Sequence, residues 1–192
     1  RNNSSLTEFA LPNLLSIRGE LFIANPAENN ITSIKCPQLT TILKQCYIQA
    51  PNLKSLNLNS LESIPGKGDN SDGDGTFSLY GSQLVSLDLP VLKQVGKKFT
   101  LSLGTKHPEL TQINLPELIS CKEVSIGYAD KLETISLPKL STLSSFSITS
   151  CAKFSKLNET IAPSNLEKLS VSHCPSVTEL DASQKDINSI SI

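Results

Sequence analysis

The chain has 192 residues, an apolar fraction of 38%, few aromatics, no Trp and a formal net charge of −1 at pH 7. So balanced a charge leaves no basic stripe for a phosphate backbone, which argues against nucleic acid as a partner. No apolar run approaches the roughly 18 residues of a membrane span, and the length suits one ordinary domain.

Residues 1–5 (Arg1-Asn2-Asn3-Ser4-Ser5) read as a polar linker. Met is absent, also at position 1. The expectation is therefore a fragment or a processed product, in which a missing leader carries no weight. Glycosylation sequons stand at Asn2, Asn3, Asn30 and Asn158, a number near chance in so Ser- and Thr-rich a chain.

From Leu6 to Ile192 the chain repeats itself about every 22 to 23 residues. The clearest copy, LETISLPKLSTLSSFSITSCAK from Leu132, aligns without a gap to LTQINLPELISCKEVSIGYADK from Leu110. Eight copies begin at Leu6, Ile31, Leu53, Leu84, Leu110, Leu132, Phe154 and Val177. Each opens with L-x-x-L-x-L, as in Leu84/Leu87/Leu89, and the alternation sends two side chains to one face, as a strand requires. Pro12, Pro37, Pro90, Pro116 and Pro138 follow and remove a backbone donor, so the strand ends there; the third copy has Asn59 instead.

A second alternating pair comes about ten residues later in each copy, rich in Phe, Val and Ile: Leu21/Ile23, Cys46/Ile48, Phe77/Leu79, Phe99/Leu101, Val124/Ile126, Phe146/Ile148, Leu169/Val171 and Ile190/Ile192. No stretch sustains a helical period. The expected fold is a mainly β, right-handed, leucine-rich-repeat-like solenoid with little or no α-helix. It has two short parallel strands per coil and about eight coils over residues 6–192, a rod of roughly 40 Å. The seventh copy, with Asn158 and a late Pro163, and the truncated eighth depart from the pattern.

Cysteine positions follow the repeat. Cys36 stands where Leu115 and Leu137 stand, Cys46 where Phe146 stands, and Cys121 where Leu143 stands; Cys151 and Cys174 take the place of Ala129. All five are expected in the core as small hydrophobes, with a Cys151–Cys174 bridge between adjacent coils geometrically open. His107 and His173 read as solvated corner residues, with no metal site between them.

The third copy is interrupted at residues 65–76 by a glycine-rich segment carrying Asp69, Asp72 and Asp74. These raise calcium, but an EF-hand loop needs Gly at its sixth place, and counting from Asp69 or Asp72 puts Asp74 or Phe77 there. The segment reads as a mobile hairpin, with Tyr47 and Tyr80 near its base. Neither metal nor cofactor is expected.

Two outward ladders cross the first strands: Glu8, Ser33, Ser55, Ser86, Gln112, Thr134, Lys156 and Ala10, Lys35, Asn57, Asp88, Asn114, Ser136, Asn158. They are expected to form one continuous polar sheet face. Its plain reading is a solvated surface; its functional reading is a broad protein-binding face. Candidate binding residues are Lys35, Asn57, Asp88, Asn114 and Ser136 on the ladder, and Asp69, Asp72, Asp74 and Tyr80 at the insertion.

The pattern L-x-x-I-x-L-P-x-L-x-x-L…F…C, from Leu132 to Cys151 and spread over nearly the whole chain, resembles the BspA-type leucine-rich repeats of bacterial surface proteins. It departs from them at Leu143-Ser144-Ser145-Phe146-Ser147-Ile148, where that family carries I-G-x-x-A-F. It is more distantly similar to the L domains of growth-factor receptors and to related fungal wall proteins. The resemblance implies export, a cell-surface or extracellular location, lipoprotein anchoring through a preceding segment, and adhesion to a protein or host-surface ligand. The expected function is thus a non-enzymatic interaction module. A structural spacer is the alternative. A carbohydrate-active β-solenoid enzyme is the weakest reading, because Glu8 and Asp88 stand several coils apart and no carboxylates cluster.

Overall fold

Short runs with alternating apolar residues cannot close a core alone; stacking identical runs in parallel can. The computed structural model describes residues 5–24, 30–68, 73–104, 109–155, 165–178 and 187–192. Among them every regular element is a strand, all strand pairs are parallel, and the strands stack as a β-solenoid. No helix among the described residues is long and apolar enough to cross a membrane.

The first wall carries the L-x-x-L-x-L strands: β1 (Glu8–Ala10), β4 (Ser33–Lys35), β7 (Ser55–Asn57), β10 (Ser86–Asp88), β12 (Gln112–Asn114) and β14 (Thr134–Ser136). The second wall carries β3 (Leu21–Ala24), β6 (Gln45–Gln49), β9 (Thr76–Tyr80), β11 (Gln94–Ser102), β13 (Ser120–Gly127), β15 (Ser145–Thr149), β16 (Lys168–Ser172) and β17 (Ser189–Ser191). Six coils therefore have a strand on both walls; the seventh and eighth are described on the second wall only. About six turns are described on both walls.

The coil is three-sided rather than two-sided. β2 (Ser16–Ile17), β5 (Thr41–Ile42) and β8 (Ser63–Ile64) form a short third side, which continues into the first residues of β11 and β13 through Gln94↔Ser63 and Gln94↔Ser120. The inward residues Ile42, Ile64, Val95 and Cys121 are fully buried there. Anchoring one inward side chain per coil at the corner holds the flanking backbone close enough to pair.

The core is a set of vertical columns. Leu21, Cys46, Phe77, Phe99, Val124, Phe146, Leu169 and Ile190 follow one another in register along the second wall. Within this column Phe77 and Phe99 stack face to face at 4.9 Å between ring centroids. The coil leaves the second wall through a left-handed backbone residue, Gly81, Tyr128, Ser150 or His173, with φ between 52° and 57°. This conformation reverses the chain in one residue and is unfavourable with a side chain. His173 is exposed at such a corner, as expected, while His107 lies outside the described residues.

All five cysteines are buried and free. The open alternative of a Cys151–Cys174 bridge is not what forms: the Cys151 thiol donates to the Thr149 carbonyl and the Cys174 thiol to the Ser172 carbonyl. Burial pushes the thiols of Cys121 and Cys151 up to about 12, and raises those of Cys36 and Cys46 as well.

Candidate functional site

The expected continuous ladder on the first wall is instead two separate three-stranded sheets, β1-β4-β7 and β10-β12-β14. Lys35 pairs in register with Asn57, and Asp88 with Asn114 and then Ser136, but Asn57 and Asp88 do not pair. The break falls at the coil that has Asn59 in place of proline, where the Asn59 amide turns back to Asn57 Oδ1 at 3.4 Å. Beside it, Leu56 is only partly buried, whereas Ile34 in the same sheet and Leu87 in the next are fully packed. The candidate ladder residues thus belong to two faces, not one.

The charged candidates on these faces already have partners within the chain. Lys35 Nζ meets Glu8 Oε2 at 2.6 Å, one coil back. Asp88 Oδ2 accepts from Ser86 Oγ at 2.7 Å. Similar inter-coil pairs join Lys93 to Glu62, Lys131 to Glu109 and Lys139 to Glu117. Each is half exposed, so solvent screens it and its contribution is small.

The insertion has a described stem, residues 65–68 and 73–76, while Asp69 and Asp72 lie outside the described residues. Asp74 is not an open ligand. Its carboxylate is nearly buried and accepts from the Lys67 amide at 2.7 Å and from the Gly68 amide at 2.8 Å. The Gly75 amide donates to Lys44 O of the preceding coil at 2.7 Å, and the Lys97 amide of the next coil donates to Gly75 O at 2.8 Å. Gly75 has φ of 66°, and a Cβ there would sit 3.2 Å from Gly96 Cα. A Cβ on Gly96 would in turn overlap the Pro65 carbonyl. The mobile hairpin expected from composition therefore has a stem pinned to both neighbouring coils. Among the described residues no group of three or more His, Cys, Asp or Glu could hold a metal ion.

Tyr80 lies elsewhere, on the outer face of the second wall. Its ring centroid is 5.3 Å from that of Tyr47, which stacks on Phe22 at 4.8 Å and 12°. Phe22 had not been singled out in the sequence, although the signal was available. It fills the outward place between Leu21 and Ile23, as Tyr47 does between Cys46 and Ile48. In later coils the same column reads Ser78, Thr100, Ser125, Ser147, Ser170 and Ser191. The outer second wall is thus a short aromatic stack continued by an uncharged hydroxyl column. Phe22 and Tyr47 lie face to face, and Tyr80 is tilted by 36° to Tyr47, so the three rings offer apolar contact area on a sheet face.

No protein-family model, no curated protein and no solved structure matches this chain.

Proposed function

We propose that the chain is a non-enzymatic recognition module of a secreted or cell-surface protein, binding a protein or host-surface ligand in adhesion. The observation that carries this reading is the Phe22–Tyr47–Tyr80 stack on the outer second wall. Aromatic side chains are scarce here, and three of the nine Phe and Tyr residues meet in this stack. Large, rigid aromatics contribute contact area at low entropic cost, which is why they are enriched at binding surfaces. The surface location and the bacterial surface-protein setting rest on the resemblance of the repeat to BspA-type proteins.

A spacer role is the second reading. It is favoured by the first wall, whose candidate charges are already engaged by Glu8 and Ser86.

The two readings separate in an adhesion assay with the chain displayed on beads over immobilised host-surface proteins. Replacing Phe22, Tyr47 and Tyr80 together by Ser, the residue of the later coils, is expected to abolish adhesion. Charge reversal at Lys35 and Asp88 is expected to leave it intact. Equal adhesion of all variants and of uncoated beads would leave the spacer reading standing and remove the module reading.

A further inference from the structure

Three successive coils leave the second wall through the same corner. Tyr128, Ser150 and His173 occupy it, with φ between 52° and 57°. The residue after each turns back into the core: Ala129, Cys151 and Cys174, all buried. The repeat thus makes one column of these side chains, and two of its members are thiols on adjacent coils. The other cysteines have no such neighbour in their columns. Cys36 follows the first-wall strand β4, Cys46 stands between Leu21 and Phe77 on the second wall, and Cys121 lies on the third side beside Val95.

The ladder below the corner sets the register of the pair. Thr149 pairs with Ser172, and the pairing runs on into the corner, where the Ser150 amide donates to Ser172 O at 2.9 Å. Each thiol donates to the carbonyl two residues back in its own coil, Cys151 to Thr149 O at 3.5 Å and Cys174 to Ser172 O at 3.3 Å. The two side chains therefore leave their coils in the same direction. Cys174 Sγ also reaches Ile148 O, in the coil of Cys151, at 3.9 Å. The two thiols stand within hydrogen-bonding reach of one another. Neighbouring strands lie about 4.8 Å apart, inside the roughly 4.4–6.8 Å that separates the Cα atoms of a disulfide.

We infer that Cys151 and Cys174 are a redox-operated staple between the sixth and seventh coils: free thiols in reducing surroundings, one disulfide under a small-molecule disulfide oxidant. One of the two loses its proton, and its thiolate attacks a sulfur of the oxidant, expelling half of it as a thiolate. The second cysteine, deprotonated in turn, attacks the mixed disulfide and expels the other half. Two thiols are oxidised, the oxidant is reduced to two thiols, and the two protons end on the leaving groups. Closing the bond turns each sulfur away from its own carbonyl and gives up only weak thiol hydrogen bonds. Burial holds Cys151 in its protonated form, so the exchange is slow and waits on opening of the corner. Once closed, the bond removes freedom from the unfolded chain and keeps the two coils from parting. This inference is independent of any ligand on the outer second wall.

The test holds the folded chain with oxidised glutathione in mildly alkaline buffer until its thiol count, read in denaturant, stops changing. Two of the five thiols are expected to disappear. Tryptic fragments 140–153 and 169–185 are expected as one species that dithiothreitol separates. The oxidised chain is expected to unfold at higher urea than the reduced one. Cys174→Ala, which gives the seventh coil what Ala129 gives the fifth, is expected to keep its remaining thiols and its urea midpoint under the same treatment. Retention of all five thiols by the wild type overturns the inference. So does a bridge that involves Cys36, Cys46 or Cys121, or an oxidised chain that unfolds at lower urea. The wild-type measurements decide by themselves, so the test survives a variant that does not fold.

Discussion

The two walls of the solenoid are built from the same repeat, yet one is a continuous eight-stranded ladder and the other breaks in the middle. The second wall has an inward pair in every coil and two Phe residues stacked at its centre. The first wall has strands of three residues, and it loses its pairing where the third copy exchanges proline for Asn59 and Leu56 is only partly buried. The lesson is that continuity follows the number of inward anchors per strand. A strand with one buried anchor is easily displaced by a local change, whereas one with two or more in register with its neighbours is not.

The largest test of that contrast is Phe99→Ala. It removes a stacked ring and leaves a cavity in the second wall, with an expected loss of about 3–5 kcal/mol in urea unfolding. Leu56→Ala, at the break, is expected to cost about 2 kcal/mol or less, since the site is already partly open. Equal costs would abolish the distinction between the walls.

Asp74→Ala comes next. Two backbone amides lose a charged acceptor in a nearly buried site, an expected cost of about 2–3 kcal/mol. If the stem couples the second wall's coils, hydrogen exchange at Gly75 and Lys97 should also accelerate, because both amides hold the stem to its neighbours.

Alkaline unfolding sharpens the comparison at the next level. The buried thiols of Cys121 and Cys151 lie near 12 when folded, against an unfolded value near 9.0. Their contribution is complete below pH 9 and is lost as pH rises toward 12, because the unfolded chain then releases protons that the folded chain keeps. The expected decline is on the order of 1 kcal/mol per thiol per pH unit above pH 9. Cys121→Val should flatten the slope measured by urea melts at pH 8 and pH 10.

The smallest effect is expected for Lys139→Ala. It removes an exposed inter-coil pair to Glu117 and should cost less than about 1 kcal/mol, falling toward zero in high salt.

The solenoid was legible because every inward position recurs: from Leu110/Ile113/Leu115 to Leu132/Ile135/Leu137 the spacing alone states which residues share a column. The burial of Cys36, Cys46, Cys121, Cys151 and Cys174 followed from the same alignment. The break in the first wall was less legible, because Asn59 was visible but the lost pairing between β7 and β10 is a tertiary outcome. The role of Asp74 was hidden for a related reason. Three aspartates among glycines describe an ion site and a hydrogen-bonded stem equally well, and only the direction of the Lys67 and Gly68 amides decides between them. Phe22 stands between the inward pairs that carry the periodic signal, and its column, aromatic twice and hydroxylated thereafter, is written in the sequence beside them.

The parallel stacking of coils also sets how the chain would answer to tension. Its strands lie across the long axis, so a pull between the two ends loads the backbone hydrogen bonds of one coil boundary at a time. They part in succession, as a zipper does, rather than all together in shear. Each coil set free lengthens the chain by roughly 70 Å, from about 22 residues at up to 3.6 Å each less the spacing of one layer. Stretched in this way, the molecule yields in steps set by the length of each coil, and behaves as a spring that pays out its length coil by coil.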